Sequence, residues 1–189
     1  DHRLLGNAFC LSSTVRCHNK AIDGTGATPY SIAQFVKHIS ENSIDPFMER
    51  IREELGTSFV SDRKQQQVHE AFDFLQETLL HLGNEERMAE MREEALQRMN
   101  RGDLVILPIV SPTHIATLVT YQGRSIICNR GLRPPAYKRS TLWLGNLSPD
   151  EAKQKELLGH LLYGTQRKPS IRQHYQVLEK IHTFREGQS

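Results

Sequence analysis

Apolar side chains in the first hundred residues recur three and four positions apart, and that spacing predicts helices. Over 28–42, Ile32, Phe35, Val36 and Ile39 share one face; over 45–56, Met48, Ile51 and Leu55 do. Over 63–82 the stripe is Val68, Phe72, Leu75 and Leu79, and over 85–100 it is Met88, Met91, Ala95 and Met99. The ends are punctuated to match. Thr28 and Asp45 stand where N-caps belong, each followed by a proline at the first helical position, and Gly56 and Gly83 serve as stops. The methionine stripe reads most simply as a core face, with a partner-binding surface as the alternative. The charges opposite it read as a solvated face.

After Gly102 the pattern shortens. Residues 103–110, 114–121 and 124–129 are short, β-branched and apolar, and they predict strands. Gln122-Gly123 makes a tight hairpin turn between the last two. The run DLVILPIV is apolar on both faces, which predicts a buried strand with Pro108 marking an edge or a bulge. Residues 139–146 supply a further strand. Helices then return. Ser148 is read as the cap of a capping box completed by Glu151, ahead of Leu157, Leu158, Leu161 and Leu162. A last helix at about 169–184 buries Ile171, Tyr175, Leu178 and Ile181. The order predicts an α+β domain spanning 1–189: a helical lobe over 1–101, an antiparallel sheet over 102–146 and C-terminal helices over 147–186.

Composition narrows the function classes. The 189 residues are 38% hydrophobic and 24% charged, with a net charge of +2 and no Lys/Arg block, so neither nucleic acid nor a membrane surface is the expected partner. No apolar run approaches the length of a membrane span and no secretory leader opens the chain, so membrane insertion is not expected. Cys10, Cys17 and Cys128 are odd in number and match no zinc spacing; reduced thiols and a cytoplasmic, reducing compartment are expected. The histidines form no HExxH or similar pattern, and no metal or other cofactor is expected. GTGAT (24–28) reads as a turn rather than a phosphate cradle, because no strand precedes it and no Gly-Lys-Ser/Thr follows. Arg130, Arg133, Lys138 and Arg139, interrupted by Pro134-Pro135, read as a solvated loop or as a substrate rim.

The chemistry worth weighing sits in SPTHIATLVTYQGRSIICNRG (111–131). With the turn at 122–123, position 114 falls opposite 131, so His114 and Asn129 lie within one pleat of each other at the same hairpin end. A carboxamide that accepts an imidazole N–H holds the ring with its other nitrogen toward a nucleophile, as in a Cys-His-Asn triad. The plainer reading is a polar strand start and a turn residue. The nucleophile must come from upstream. If a helix begins near Cys10, the first turn favours the thiolate and lowers the thiol from its ordinary value of about 8.5. The Cys10 amide and the Asn7 side chain would then donate to an oxyanion. The plainer reading makes Cys10 a small core residue between Phe9 and Leu11. Cys17, read as two turns into such a helix and beside His18, is the alternative nucleophile. Cys128 alternates with Asn129 and is assigned to the core.

An N-terminal Cys, a helical lobe, a His opening one strand and an Asn ending the next resemble the order of papain-fold cysteine peptidases, in a layout like that of the YopT/AvrPphB-like bacterial effector proteases. The matching residues are Phe9-Cys10-Leu11-Ser12-Ser13, His114-Ile115-Ala116-Thr117-Leu118 and Cys128-Asn129-Arg130-Gly131. Ile115 stands where that family usually has Ala, and Asn129 where Asp is commoner. The resemblance implies Cys10 as nucleophile, His114 as base, Asn129 as orienter and a protein as substrate. It also implies an effector delivered into a host cell, and Trp143 as an aromatic shield or a core residue. Three other readings stand beside the protease: an acyl transferase or deamidase on the same triad, a catalytically inactive papain-like binding module, and a plain helical interaction domain.

Overall fold

The computed structural model describes residues 15–17, 20–22, 29–56, 60–111, 115–128, 142–164 and 169–186. Helix α1 (Pro29–Asn42) buries Ile32, Val36 and Ile39 and half-buries Phe35, as its spacing predicts. Helix α2 (Ile44–Leu55) departs from the sequence reading at both ends. Its N-cap is Ser43, so Asp45 sits inside the first turn and not at the cap, and its carboxylate is spent on His69 and Gln65 instead. Leu55, expected to face inward, is 56% exposed in the last turn. Helix α3 (Asp62–His81) is capped by the Ser61 side chain, which accepts from the Lys64 amide; α4 (Glu85–Arg101) is capped by Asn84, which accepts from Arg87. Met88, Met91, Ala95 and Met99 are all buried, which makes the methionine stripe core.

Strands β1 (Val15–Cys17) and β2 (Lys20–Ile22) form a small antiparallel hairpin. The main sheet is antiparallel in the order β3-β4-β5-β6-β7, built from β3 (Val105–Val110), β4 (Ile115–Tyr121), β5 (Arg124–Cys128), β6 (Leu142–Leu147) and β7 (His182–Glu186). β3 is an edge strand. Pro108, which lacks an N–H, is therefore tolerated there, as expected. The β4–β5 turn needs positive φ at both central residues, which Gln122 (48°) and Gly123 (73°) adopt.

Helix α5 (Glu151–Leu161) is capped by Asp150, whose carboxylate accepts from the Ala152 amide. Ser148, the residue read as the cap, sits two positions earlier and accepts from the Asp150 amide. Helix α6 spans Ile171–Ile181 and stops short of 184; residues 182–186 are the strand β7, paired to β6. His182 is thus on a strand, not on the last helix, and the segment 147–186 is not wholly helical.

Two cores sandwich the sheet. One joins Leu107, Ile109, Ala116, Leu118, Ile127 and Trp143 to side chains of α4, α5 and α6; the other joins Ile106, Val110 and Ile115 to α1, α2 and α3. Each fully buried Leu, Ile or Met contributes about 2 kcal/mol by leaving water. The architecture is α+β, with six helices among the described residues. None of these helices is long and apolar enough to cross a membrane.

Candidate functional site

Among the residues singled out from sequence, Asn7, Cys10, His114 and Asn129 lie outside the described residues. So do GTGAT and the Arg130, Arg133, Lys138, Arg139 group. Cys17 is described, and it is not helical: it ends β1 and pairs with Lys20 across a tight hairpin. The helix-dipole argument therefore does not apply to it. A short two-stranded ribbon provides backbone partners through its ladder and no concentrated positive end.

The register around the candidate His and Asn is defined by their described neighbours. Thr117 pairs with Cys128 and Tyr121 with Arg124, which is the pairing the Gln122-Gly123 turn predicts. β4 begins at Ile115, the residue after His114, and β5 ends at Cys128, the residue before Asn129. Ile115 pairs with Val110, and Cys128 pairs with Leu142. The C-terminal ends of β3 and β5 and the N-terminal ends of β4 and β6 thus meet at one end of the sheet. Cys128 is buried (4% exposed), in line with its assignment to the core.

The interior behind this end holds two histidines. His174 of α6 is completely buried, and its Nε2 lies 2.8 Å from the Val110 carbonyl oxygen at the end of β3. A carbonyl only accepts, so Nε2 carries the proton and Nδ1 is a bare acceptor; it has no hydrogen-bond partner among the described residues. The His160 ring of α5 packs edge-on against His174, with centroids 4.8 Å apart and planes at 78°, and its Nε2 is likewise buried without a partner. Burial pushes His174 down to about 4, opposed by its bond to Val110 and reinforced by His160; burial also lowers His160, opposed by the charge of Glu156. Trp143, 1% exposed, meets Tyr175 edge-on at 5.6 Å, so Trp143 is core.

A signal for His174 did exist in the sequence. Positions 171, 174, 175 and 178 form one helical stripe, and His174 stands on it between the apolar residues. A lone histidine on a core stripe carries no metal-ligand or catalytic spacing. The described residues contain no group of three or more His, Cys, Asp or Glu placed to hold a metal ion.

No family model matches the chain, and no curated protein does. Among solved structures the chain is similar to the Legionella effector AnkH, with a TM-score of 0.53 and 17% identity over 97% of this chain. The match covers 39% of that protein, so this chain spans about two fifths of its length. At that identity the likeness concerns the fold alone.

Proposed function

We propose that the chain is a papain-like thiol hydrolase acting on a protein, with Cys10 as nucleophile, His114 as base and Asn129 as orienter. One observation carries this reading: the β4–β5 register puts the residue after His114 and the residue before Asn129 at the same end of one hairpin, where β3 ends and β6 begins. If each strand continued by one residue, position 114 would share the parity of Ala116 and Leu118, and position 129 that of Ile127, which belong to the core on the α4–α6 side. An imidazole and a carboxamide of matching parity at a hairpin end are the base and orienter that thiol chemistry needs.

In this mechanism the imidazole takes the thiol proton and the thiolate attacks a carbonyl carbon. The imidazole returns the proton to the leaving amine, and water hydrolyses the resulting thioester. An amine in place of that water would make the same centre an acyl transferase. The Asn7 side chain is the proposed oxyanion donor. Cys17 stays as the alternative nucleophile, without help from a helix end. Action as an effector inside a host cell is supported by the likeness to a protein described as a Legionella effector.

A thiol-directed electrophilic probe tests the assignment. Cys10 is expected to label rapidly in the folded wild type and to lose most of that reactivity in His114→Ala. Undiminished labelling in His114→Ala would remove the mechanism, and labelling at Cys17 instead would move the nucleophile. Comparing protein fragments produced by wild type and Cys10→Ala separates hydrolase from inactive module: identical patterns from two folded proteins favour the binding module.

A further inference from the structure

A fully buried imidazole on helix α6 reaches the end of the sheet. His174 donates from Nε2 to the carbonyl of Val110, a residue distant in sequence, at the end of an edge strand. Edge strands leave carbonyls unpaired, and a buried one needs a donor. The neutral ring satisfies it and leaves Nδ1 bare in the interior, against the edge of the His160 ring.

We propose that the His160–His174 pair is a proton-operated latch that holds helix α6 against the end of β3 and releases it in mild acid. A second proton on His174 would go to Nδ1. There it would form a buried N–H donor with no acceptor among the described residues, next to a second imidazole whose own Nε2 is also buried and unpartnered. The charged ring is stable only if it turns out to water, and turning out breaks the bond to Val110.

The groups facing the pair support that direction. β3 supplies no titratable side chain, its residues being VILPIV. From α5 come His160, which opposes charging of His174, and Glu156, which acts on His160. On α6 itself, Arg172 and Glu179 are exposed. No carboxylate is among the groups acting on His174 to compensate a positive charge there. Helix α6 runs directly into β7, so release loosens the last strand as well. On the reading proposed above, it would also free the strand end that leads to His114; the latch itself rests only on described residues and stands without that reading.

Hydrogen exchange of the α6 amides, with the α4 amides as internal reference, tests the latch on the whole chain. Between about pH 7.5 and about pH 5, opening of α6 in the wild type should become roughly 30-fold more favourable after correction for intrinsic exchange. In His174→Gln, whose side-chain amide can donate to Val110 but cannot take up a proton, the change should be under about threefold. Wild-type opening that does not respond to pH, an equal response in His174→Gln, or a response shared equally by α4 would each overturn the latch. If His174→Gln does not fold, the ¹⁵N shifts of the wild-type His174 ring decide. An Nε2–H tautomer titrating below about pH 5 supports the latch, and an ordinary midpoint near 6.5 overturns it.

Discussion

Two histidines tie distant parts of this chain together by opposite means. His69 of α3 reaches Asp45 of α2 at 2.6 Å on the surface, where the carboxylate side chain is 62% exposed and Gln65 also donates to it. His174 reaches a backbone carbonyl in the interior, with no charge on either partner. The first tie gains little, because water competes for both groups and salt screens them. The second matters chiefly because its loss is costly: a buried carbonyl without a donor forfeits its hydration and gets nothing back. Similar bond lengths thus carry unequal weight, and burial decides which tie the fold depends on.

The largest effect that tests this contrast is His174→Ala. It strands the Val110 carbonyl and leaves a cavity, so a loss of about 3 kcal/mol is expected in chemical denaturation at neutral pH. A loss no greater than that from cutting the surface tie would break the comparison.

Next comes the wild type's own response to acid. His174 titrates at about 4 when folded, against an ordinary 6.5. The unfolded chain therefore takes up the proton first. Stability is fully present above about pH 6.5 and declines as pH falls toward about 4, by about 3 kcal/mol in all. Denaturation midpoints measured across that window should fall, and His174→Gln should flatten the slope.

The smallest effect belongs to Asp45→Asn. The hydrogen bond from His69, then that from Gln65, holds the Asp45 carboxyl below its usual range of about 3.8. Its contribution is present above that value and lost only as pH falls further, below most of the His174 window. Melting curves for this variant should nearly overlay the wild type and converge completely in high salt. A large, salt-independent shift would mean that the surface tie is stronger than its exposure allows.

Local grammar made much of this fold legible. The stripes of α3 and α4 repeat without interruption, Gln122-Gly123 sets the β4–β5 register, and Pro108 marks an edge strand. The misses have separate causes. Residues 182–186 continue the helical spacing of α6, yet they pair with β6, a strand far upstream, and pairing at such a distance leaves no local trace. Cys17 differs: its partner Lys20 is close in sequence, but each strand of that hairpin is only three residues long, too short to show a period. At α2 and α5 the caps shifted because more than one short polar residue was available at each start. Backbone geometry, not residue type, selected Ser43 and Asp150. Within the candidate site, the hairpin and the burial of Cys128 were readable. The burial of His174 was readable from its helical stripe, but the pairing of His160 with His174 was not, because it comes from the packing of α5 and α6 on the sheet end.

The sequence by itself determined most of the elements, because helix and strand periods, turn residues and proline positions act over a few bonds and need no partner; β7 is an exception, fixed by its pairing with β6. Only the tertiary structure decided what each polar group is worth. The same imidazole is a weak surface tie at position 69 and a buried, proton-refusing donor at position 174. The difference lies in the surrounding dielectric and in which partners the fold brings within reach, and neither is written in the neighbouring residues.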